Sequence, residues 1–290
     1  MRKNDPGEQL SISRLDEKNL SIAEFGAFGG QMSHLVLGGV EIIPKFSGDN
    51  ARAQVFGYTM TPWPNRLEDG NYQMAGIDYQ IPKLDSQNNA NHGLLLDEKM
   101  ELVSHAPDSL KLSYSFGQDA HYPFAIDLVL EFSLEENALV TRATATNNSR
   151  HAAPFAIGFH PYFLMGNEFT VSADFTHHIA TDDRMLPVSA KEVSGLGLNQ
   201  DSLDLATLDD CYYGSNEVLV TNSLGSFEIR GLENIDYFML YRPSAQLFAQ
   251  GSALAIEPMS HPANVFVTDI ASTEILAGES KSYSYEIRSL

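Results

Sequence analysis

The amino-acid sequence predicts an all-β protein, built as a large antiparallel β-sandwich, and three observations support this prediction. Apolar and polar residues alternate with a period of two along many short segments. No window keeps the 3.6-residue period of an amphipathic helix for more than about two turns. Gly, Pro and Asn separate the segments at short intervals, which is typical of antiparallel strands rather than of α/β units.

The clearest strand candidates lie in the middle of the chain. Residues 110–116 alternate without a break, and residues 126–134 place five large apolar side chains on one face. A short polar turn then leads into residues 138–146, so these two segments predict a β-hairpin. The other strand candidates are residues 21–25, 34–43, 217–221, 226–230, 235–241 and 281–287.

Length and composition predict the domain organisation. A chain of 290 residues with 43% hydrophobic content suits one large globular domain or two small ones. Since no repeat, low-complexity tract or linker divides residues 19–290, we expect a single domain there. Residues 1–18 are polar, and they predict either an N-terminal tail or an edge strand.

Charge and cysteine content narrow the classes of partner. A formal net charge of -20 repels phosphate backbones and anionic lipid surfaces, which argues against nucleic acid, membranes and phosphorylated ligands. The lone cysteine, Cys211, excludes a disulfide within the chain and fits a reducing cytosol. The N-terminal residues lack the apolar run of a secretory signal, and no stretch is long enough to span a bilayer. The sequence therefore predicts a cytoplasmic protein.

Two ionisable residues stand in similar local contexts. His160 lies in the stretch AIGFHPYFLMG, and Pro161 restricts it to extended geometry, so we expect it at a strand end. Glu257 lies in the apolar run LAIEP and is likewise followed by a proline, Pro258. A lone buried histidine is more often a core residue than a catalytic one. An acid and a base of different pKa on rigid elements, however, suit proton transfer between two oxygens.

Two further polar positions are candidates for ligand contact. Arg66 follows the segment TPWPN, where an arginine is either paired with a carboxylate or offered to the oxygens of a ligand. His92 follows Asn88, Asn89 and Asn91, which are either loop caps or ligand contacts. The glycine after His92 allows another group to approach closely.

The sequence predicts neither a metal nor a cofactor. His177 and His178 are adjacent, so on a strand they point to opposite faces and do not share an ion. The histidine spacing of cupin-like metal sites is missing. The chain also lacks the G-x-S-x-G elbow of serine hydrolases and the glycine loop that binds phosphates.

Five of these segments together resemble the aldose 1-epimerases (galactose mutarotases), whose fold is a large antiparallel β-sandwich. The resemblance covers residues 20–288. It rests on TPWPNRLEDGNY (61–72), NANHG (89–93), GFHPYF (158–163), LDDCYYG (208–214) and IEPMSHPAN (256–264), which occur in the right order and at the right spacings.

The resemblance implies a role for five residues. Glu257 matches the general base on the anomeric hydroxyl, and His160 matches the general acid toward the ring oxygen, on opposite sides of one sugar ring. His92 and Arg66 match residues that hold sugar hydroxyls and the region of the ring oxygen. Asp209 matches an aspartate that orients the substrate, and its neighbour Asp210 is the alternative in register. The implied partner is a small sugar, with no cofactor.

The chain departs from the family pattern after His92. Met100 stands in the region where many relatives carry a tryptophan that stacks on the sugar. Leu94, Leu95 and Leu96 occupy positions where a relative acting on hexose 6-phosphates commonly has an arginine. The favoured interpretation is interconversion of the α and β anomers of a free aldohexose. The alternatives are a hexose-6-phosphate 1-epimerase and a non-catalytic carbohydrate-binding protein of the same fold.

Overall fold

The computed structural model describes residues 9–17, 19–117, 119–166, 168–199, 208–244, 246–249 and 251–290, and most of its regular structure is β-strand. The first half of the chain forms β1 (Gln9–Asp16), β2 (Asn19–Gly26), β3 (Gln31–Leu37), β4 (Val40–Ile43), β5 (Thr59–Met60), β6 (Arg66–Glu68), β7 (Asn71–Met74), β8 (Ile77–Gln80), β9 (Asn89–Asn91), β10 (Glu101–His105), β11 (Ser109–Ser115), β12 (Ile126–Glu135) and β13 (Ala138–Asn147). The second half forms β14 (Ala153–Pro154), β15 (Gly158–Phe159), β16 (Tyr162–Gly166), β17 (Phe169–Ala173), β18 (His177–Thr181), β19 (Pro187–Glu192), β20 (Leu196–Asn199), β21 (Asp209–Tyr213), β22 (Glu217–Asn222), β23 (Gly225–Glu233), β24 (Tyr237–Tyr241), β25 (Ser252–Met259), β26 (Glu274–Ile275) and β27 (Ser280–Ser289). The helices are short: α1 (Asp49–Ala53), α2 (Val265–Thr268) and 3-10 turns at Leu95–Asp97 and Ile270–Thr273.

Two large antiparallel sheets form the main layers. The nine-stranded sheet has the order β10-β11-β12-β13-β27-β23-β22-β17-β20. The eight-stranded sheet has the order β19-β18-β21-β24-β25-β15-β5, with β16 also paired to β25. Strands β1–β4 form a smaller sheet, and the other strands form the pairs β14–β26, β6–β9 and β7–β8. The predicted all-β antiparallel architecture is confirmed.

Aromatic side chains join the two large sheets into a sandwich. Phe159 of β15 packs on Tyr285 of β27 with ring centroids 4.7 Å apart, and Phe163 of β16 packs on Phe227 of β23 at 5.2 Å. All four rings are buried. Burial of several large rings between the layers supplies a large part of the hydrophobic stabilisation.

The period-two pattern identified the central hairpin correctly. The inward face of β12 carries five buried apolar residues, Ile126, Leu128, Leu130, Phe132 and Leu134. Strand β13 pairs with β12 over its whole length, and Asn137 closes the turn with a φ of 54°. The prediction of a hairpin over these segments is confirmed.

The prediction of one strand over residues 34–43 is wrong. The chain reverses at Gly38 and Gly39, whose φ angles of 58° and 83° are readily adopted by glycine. The segment therefore contributes to two paired strands, β3 and β4.

The N-terminal segment lies at the edge of the small sheet. Strand β1 pairs with β2 in a register that runs from Gln9 opposite Gly26 to Asp16 opposite Asn19. Residues 1–8 and 18 of the predicted tail or edge strand lie outside the described residues. Among the residues that are described, no helix has the length and apolar character needed to cross a membrane.

Candidate active site

The register of the eight-stranded sheet decides which acidic residues share a face. Glu257 of β25 lies opposite Met239 of β24, and Tyr241, two residues further along β24, lies opposite Asp209 of β21. Because cross-strand partners and residues two apart on a strand share a face, Glu257, Tyr241 and Asp209 lie on the same side of the sheet. Asp210 lies on the other face of the sheet. Of the two aspartates left open by the sequence, Asp209 is therefore the one beside Glu257.

His160 is held by its backbone and by its ring. Its N–H donates to the carbonyl of Tyr58 at 3.1 Å, and its carbonyl accepts from the N–H of Gly57 at 2.8 Å. The imidazole stacks on the ring of Tyr162 with centroids 4.9 Å apart. The hydroxyl of Tyr162 donates in turn to the carbonyl of Gln54 at 3.0 Å. As the following proline predicts, His160 comes directly after a strand, in a rigid setting.

His160 and Glu257 are in direct contact. Nε2 of His160 lies 3.2 Å from Oε1 of Glu257, and the two side chains are only 5% and 2% exposed. A pyranose does not fit between atoms this close, so the two groups do not lie on opposite sides of one ring as the resemblance implied. The anomeric hydroxyl oxygen and the ring oxygen of a cyclic sugar are bonded to the same carbon, so two contacting groups on one side of that carbon are able to reach both oxygens.

Burial controls the electrostatics of this pair. It lowers the pKa of His160 well below its usual range. It raises the pKa of Glu257, an effect that the Asp209 carboxylate increases and Arg66 opposes. Both pKa shifts favour the uncharged side chains, since a buried charge loses its hydration.

The sequence left open whether Arg66 is paired with a carboxylate or available to a ligand, and the structure shows features of both. Its Nη2 lies 3.1 Å from Oδ2 of Asp209, and its Nη1 donates to Oδ1 of Asn65 at 3.0 Å. Its Nε is buried and has no partner. Burial raises the pKa of Asp209 even though Arg66 favours the charged carboxylate. Arg66 is thus both paired and left with a donor for a further group.

The short strand pair β6–β9 places His92 beside Arg66 and His160. Arg66 of β6 lies opposite Asn91 of β9, and the N–H of His92 donates to the carbonyl of Asn65 at 2.8 Å. The rings of His92 and His160 are 5.5 Å apart, edge to face. Burial, followed by the proximity of His160 and Arg66, lowers the pKa of His92. At neutral pH His92 is therefore an uncharged donor or acceptor.

The glycine after His92 is required by a backbone contact. A Cβ on Gly93 would lie 2.1 Å from the carbonyl oxygen of Thr61, and its φ is 72°. That carbonyl accepts a hydrogen bond from the N–H of Leu94 at 2.8 Å. The close approach expected at this glycine is therefore made by the chain itself, and it fixes the loop that carries His92.

All five residues that the resemblance singled out line one cavity of about 940 Å³. This volume lies near the upper end of the range of about 300–1,000 Å³ that is usual for small-molecule sites. The five residues are Arg66, His92, His160, Asp209 and Glu257. They come from β6, the loop after β9, the end of β15, β21 and β25, so only the folded chain brings them together.

Unpartnered polar atoms are concentrated in this cavity wall. Nine buried side-chain nitrogen or oxygen atoms of the described residues lack a hydrogen-bond partner. Five of them belong to residues that line the cavity: Arg66 Nε, Asn91 Oδ1, His92 Nδ1, His160 Nδ1 and Glu257 Oε2. A buried polar group without a partner costs about 1–3 kcal/mol, so such groups are rare and call for an explanation. Their clustering indicates a site for a ligand rich in hydrogen-bonding groups.

Sequence reasoning missed Tyr241 and left Asn91 undecided. Both line the cavity, and the only sequence signal for Tyr241 was its position on a predicted strand. Met100 is buried in the core and does not line the cavity, so no sugar stacking comes from that position. The aromatic residues of the wall are Trp63, Tyr114, Phe116, Tyr122, Tyr162 and Tyr241.

The histidine pair on β18 is used in other ways. His178 Nε2 lies 2.7 Å from Oδ1 of Asp210, and His177 stacks on Tyr213 with centroids 4.6 Å apart. Among the described residues, no group of three or more His, Cys, Asp or Glu side chains is arranged to hold a metal ion.

Comparison with known proteins identifies the family. The model of the aldose 1-epimerase family matches residues 12–288, which is nearly the whole chain. The chain therefore belongs to the aldose 1-epimerase family, a class of carbohydrate epimerases that bind sugar substrates. It is 25% identical over 254 residues to YihR, an uncharacterized protein of Escherichia coli K12, with 83% of this chain and 82% of YihR covered.

Solved structures show the same fold. The GalM/aldose epimerase homologue from C. elegans superimposes with a TM-score of 0.82 at 18% identity, covering 98% of this chain and 99% of the other. Galactose 1-epimerase from Lactobacillus acidophilus gives a TM-score of 0.75 at 16% identity, with 98% of each chain covered. At these identities the likeness concerns the fold alone.

Proposed function

We propose that this protein interconverts the α and β anomers of a free, unphosphorylated aldohexose by opening and reclosing the pyranose ring. The observation that carries the proposal is the buried contact of 3.2 Å between His160 Nε2 and Glu257 Oε1 in the cavity wall. A contacting imidazole and carboxyl suit the transfer of protons to and from two oxygens on one carbon. No cofactor is proposed, because no electron and no group leaves the sugar.

Ring opening moves two protons. Glu257, as the carboxylate, takes the proton of the C1 hydroxyl, and His160, as the imidazolium, gives a proton to the ring oxygen. The bond between C1 and the ring oxygen breaks, and a carbonyl forms at C1. Rotation about the C1–C2 bond then presents the other carbonyl face, and the same steps in reverse close the ring to the other anomer.

The directions of the pKa shifts of His160 and Glu257 favour the form of the pair that occurs in the middle of this cycle. Ring opening converts a carboxylate and an imidazolium into a carboxylic acid and a neutral imidazole. Burial favours the neutral pair, so the form present with the open-chain aldehyde is the one that the site stabilises. The ionic form at the start of the step depends on contacts of Glu257 and His160 with the sugar itself.

The remaining site residues bind the sugar in this proposal. Arg66 and His92 each keep one buried polar atom without a partner, Nε and Nδ1. These atoms complete their hydrogen bonds with ring hydroxyls or the ring oxygen. Asp209 holds the guanidinium of Arg66 in place and lies close enough to raise the pKa of Glu257.

The charges of the cavity wall favour a neutral sugar over a hexose 6-phosphate. Its described cations are all paired with carboxylates: Arg66 with Asp209, and Arg52 and Lys83 with Asp97. The wall carries six carboxyl groups beside these three cations: Asp85, Asp97, Glu98, Asp119, Asp209 and Glu257. A phosphate would therefore enter a site with a surplus of acidic groups and no free cation among the described residues.

A non-catalytic sugar-binding role is the second candidate. A binding protein gains nothing from burying an imidazole against a carboxyl, since the buried pair costs free energy when left incompletely hydrogen-bonded. The pair is therefore better explained by proton transfer.

A panel of free aldoses tests the proposal. Saturation-transfer NMR and polarimetry on D-galactose, D-glucose and other aldoses should show anomer exchange faster than the spontaneous rate, and glucose 6-phosphate should show much less acceleration. Calorimetric binding of an aldose without accelerated exchange would favour the non-catalytic candidate. Preferred exchange of glucose 6-phosphate would favour the phosphorylated substrate.

A further inference from the structure

Asp85 and Asn91 form a polar pair in the cavity wall that the proposed mechanism does not use. Nδ2 of Asn91 donates to Oδ2 of Asp85 at 2.8 Å. The other carboxylate oxygen of Asp85 accepts from the backbone N–H groups of Gln87 and Asn89, both at 2.8 Å. The carboxylate is therefore fixed by its own turn, and it holds the amide of Asn91 in one place.

The chemistry of this contact fixes the direction of the amide. A carboxylate accepts hydrogen bonds and does not donate them, so the NH2 end of Asn91 has to face Asp85. The amide oxygen of Asn91, Oδ1, therefore faces away from Asp85, and it is buried without a hydrogen-bond partner. An amide oxygen in this situation needs an O–H or N–H donor from outside the chain.

The residue opposite Asn91 adds a donor beside this acceptor. Asn91 and Arg66 are direct partners in the β6–β9 pair, which places their Cβ atoms about 5 Å apart. Arg66 Nε is a buried donor without a partner, and Asn91 Oδ1 is a buried acceptor without a partner. The two neighbouring residues thus offer one donor and one acceptor, which match sugar hydroxyls because a hydroxyl both accepts and donates.

We propose that Asn91 is a specificity-determining residue, whose Oδ1 accepts a hydrogen bond from one hydroxyl of the sugar while Asp85 positions the amide. This proposal rests on the proposed function and names the kind of group recognised. Substrates that carry a hydrogen-bond donor at that position are selected. Sugars with an ester oxygen, a phosphate or a fluorine there present an acceptor to an acceptor and are rejected.

Monodeoxyfluoro analogues of D-galactose and D-glucose identify the hydroxyl, because fluorine does not donate a hydrogen bond. We expect one fluorinated position to weaken binding to the wild type by about tenfold in Kd measured by calorimetry. In Asn91→Leu and Asn91→Ala, fluorine at that position of the sugar should no longer weaken binding. Fluorine at the other positions should weaken binding as much as it does in the wild type. We call the set of Kd changes across the fluorinated analogues the fluorine profile. An identical fluorine profile in the wild type and both variants would overturn the proposal.

Asn148→Leu is the matched control, because Nδ2 of Asn148 also donates to an aspartate, Oδ2 of Asp127 at 2.7 Å, on an exposed surface. Its fluorine profile should equal that of the wild type. Asp85→Asn tests the positioning role. It keeps an oxygen that accepts from the N–H groups of the turn, but it lets the Asn91 amide rotate. The weakening of binding by fluorine should therefore become smaller, with little change in melting temperature. An unchanged fluorine profile in Asp85→Asn would show that Asp85 does not set the amide.

Turnover is measured separately, by polarimetry of α-D-galactose. Absence of accelerated exchange in the wild type contradicts the proposed function, while the Kd profile still decides the role of Asn91. No binding of any parent sugar or analogue to the wild type would overturn both.

Discussion

His160 Nε2 and Glu257 Oε1 are 3.2 Å apart and almost fully buried, although 96 residues separate them along the chain. The contact joins the residue directly after β15 to the C-terminal half of β25, and these two strands pair through Gly158 and Met259. Two adjacent strands of one sheet therefore set the positions of the two ionisable groups.

Replacement of either member of this pair should remove the acceleration of anomer exchange. Positioned acid–base groups contribute about 10²–10⁴-fold, so we expect Glu257→Gln and His160→Asn each to lose at least about 10²-fold in kcat. Because the two act as a unit, the double variant should lose little more than the worse single variant. Saturation-transfer NMR against the spontaneous rate measures these effects.

The pair formed by His178 and Asp210 provides the control for this experiment. It has the same chemistry, with Nε2 of His178 2.7 Å from Oδ1 of Asp210, and neither residue lines the cavity. His178→Asn should therefore exchange anomers at the wild-type rate. Wild-type exchange in Glu257→Gln would instead show that this carboxyl is not the base.

Glu257→Gln should also stabilise the fold, by an amount that depends on pH. Burial raises the folded-state pKa of Glu257 above the ordinary value of 4.5. A group with a raised folded pKa contributes its full stability below the unfolded pKa and loses it as pH rises through the folded pKa. Glutamine does not titrate, so the two proteins should have similar melting temperatures near pH 4 and diverge as pH increases.

At pH 8 we expect the variant to melt at least about 2 °C higher, which corresponds to about 1 kcal/mol in a protein of this size. Differential scanning calorimetry from pH 4 to pH 8 measures the difference. A variant that melts below the wild type at pH 8 would mean that the carboxylate is stabilised in the native site. Glu131→Gln is the control, since Glu131 forms an exposed pair with Lys111 at 3.0 Å, and its stability difference should be small.

The sequence was informative wherever a local rule determined the structure. Period two identified β11, β12 and β13 because one face of each strand packs into the core. The proline after His160 correctly indicated a position at the end of a strand. The turn at Gly38 was missed because the apolar residues on both sides of it form a continuous run.

The site was less accessible to sequence reasoning because its geometry arises from pairing between distant segments. Asp209 and Asp210 differ only in the face of β21 that they occupy, which depends on the register with β24. The direct contact between His160 and Glu257 depends in the same way on the pairing of β15 with β25. The motifs and their order predicted a set of residues that all line one cavity, but the strand pairing set the distances between them.

Tyr241 should contribute to sugar binding through its ring more than through its hydroxyl. The ring lines the cavity beside Asp209 and lies 6.3 Å, edge to face, from the ring of His160. Loss of an aromatic wall removes apolar contact area worth about 1–2 kcal/mol, so Tyr241→Ala should raise KM about tenfold. Tyr241→Phe keeps the ring and should stay within about threefold of the wild type. Initial rates of anomer exchange over a range of sugar concentrations measure KM, and equal effects of the two changes would assign the role to the hydroxyl.

Arg184 should act on sugar binding from outside the cavity. It lies in the turn between β18 and β19, where its Nη2 donates to Asp69 at 2.7 Å and to Oδ1 of Asn89 at 3.1 Å. Its Nε donates to the carbonyl of Gln87 at 3.1 Å. These contacts tie together the ends of β6 and β9, the two strands that carry Arg66 and lead into His92.

Arg184→Ala should therefore loosen this strand pair and raise KM for the sugar by about three- to tenfold, with a smaller change in kcat, since each lost hydrogen bond is worth about 0.5–1.5 kcal/mol. Arg184→Lys keeps the charge without the planar fork and should recover only part of the loss. Arg142→Ala is the matched control, because Arg142 forms an exposed pair with Glu233 at 2.6 Å away from the cavity and should leave KM unchanged. Rates of anomer exchange as a function of sugar concentration separate KM from kcat, and an unchanged KM in Arg184→Ala would show that β6 and β9 hold their positions without this arginine.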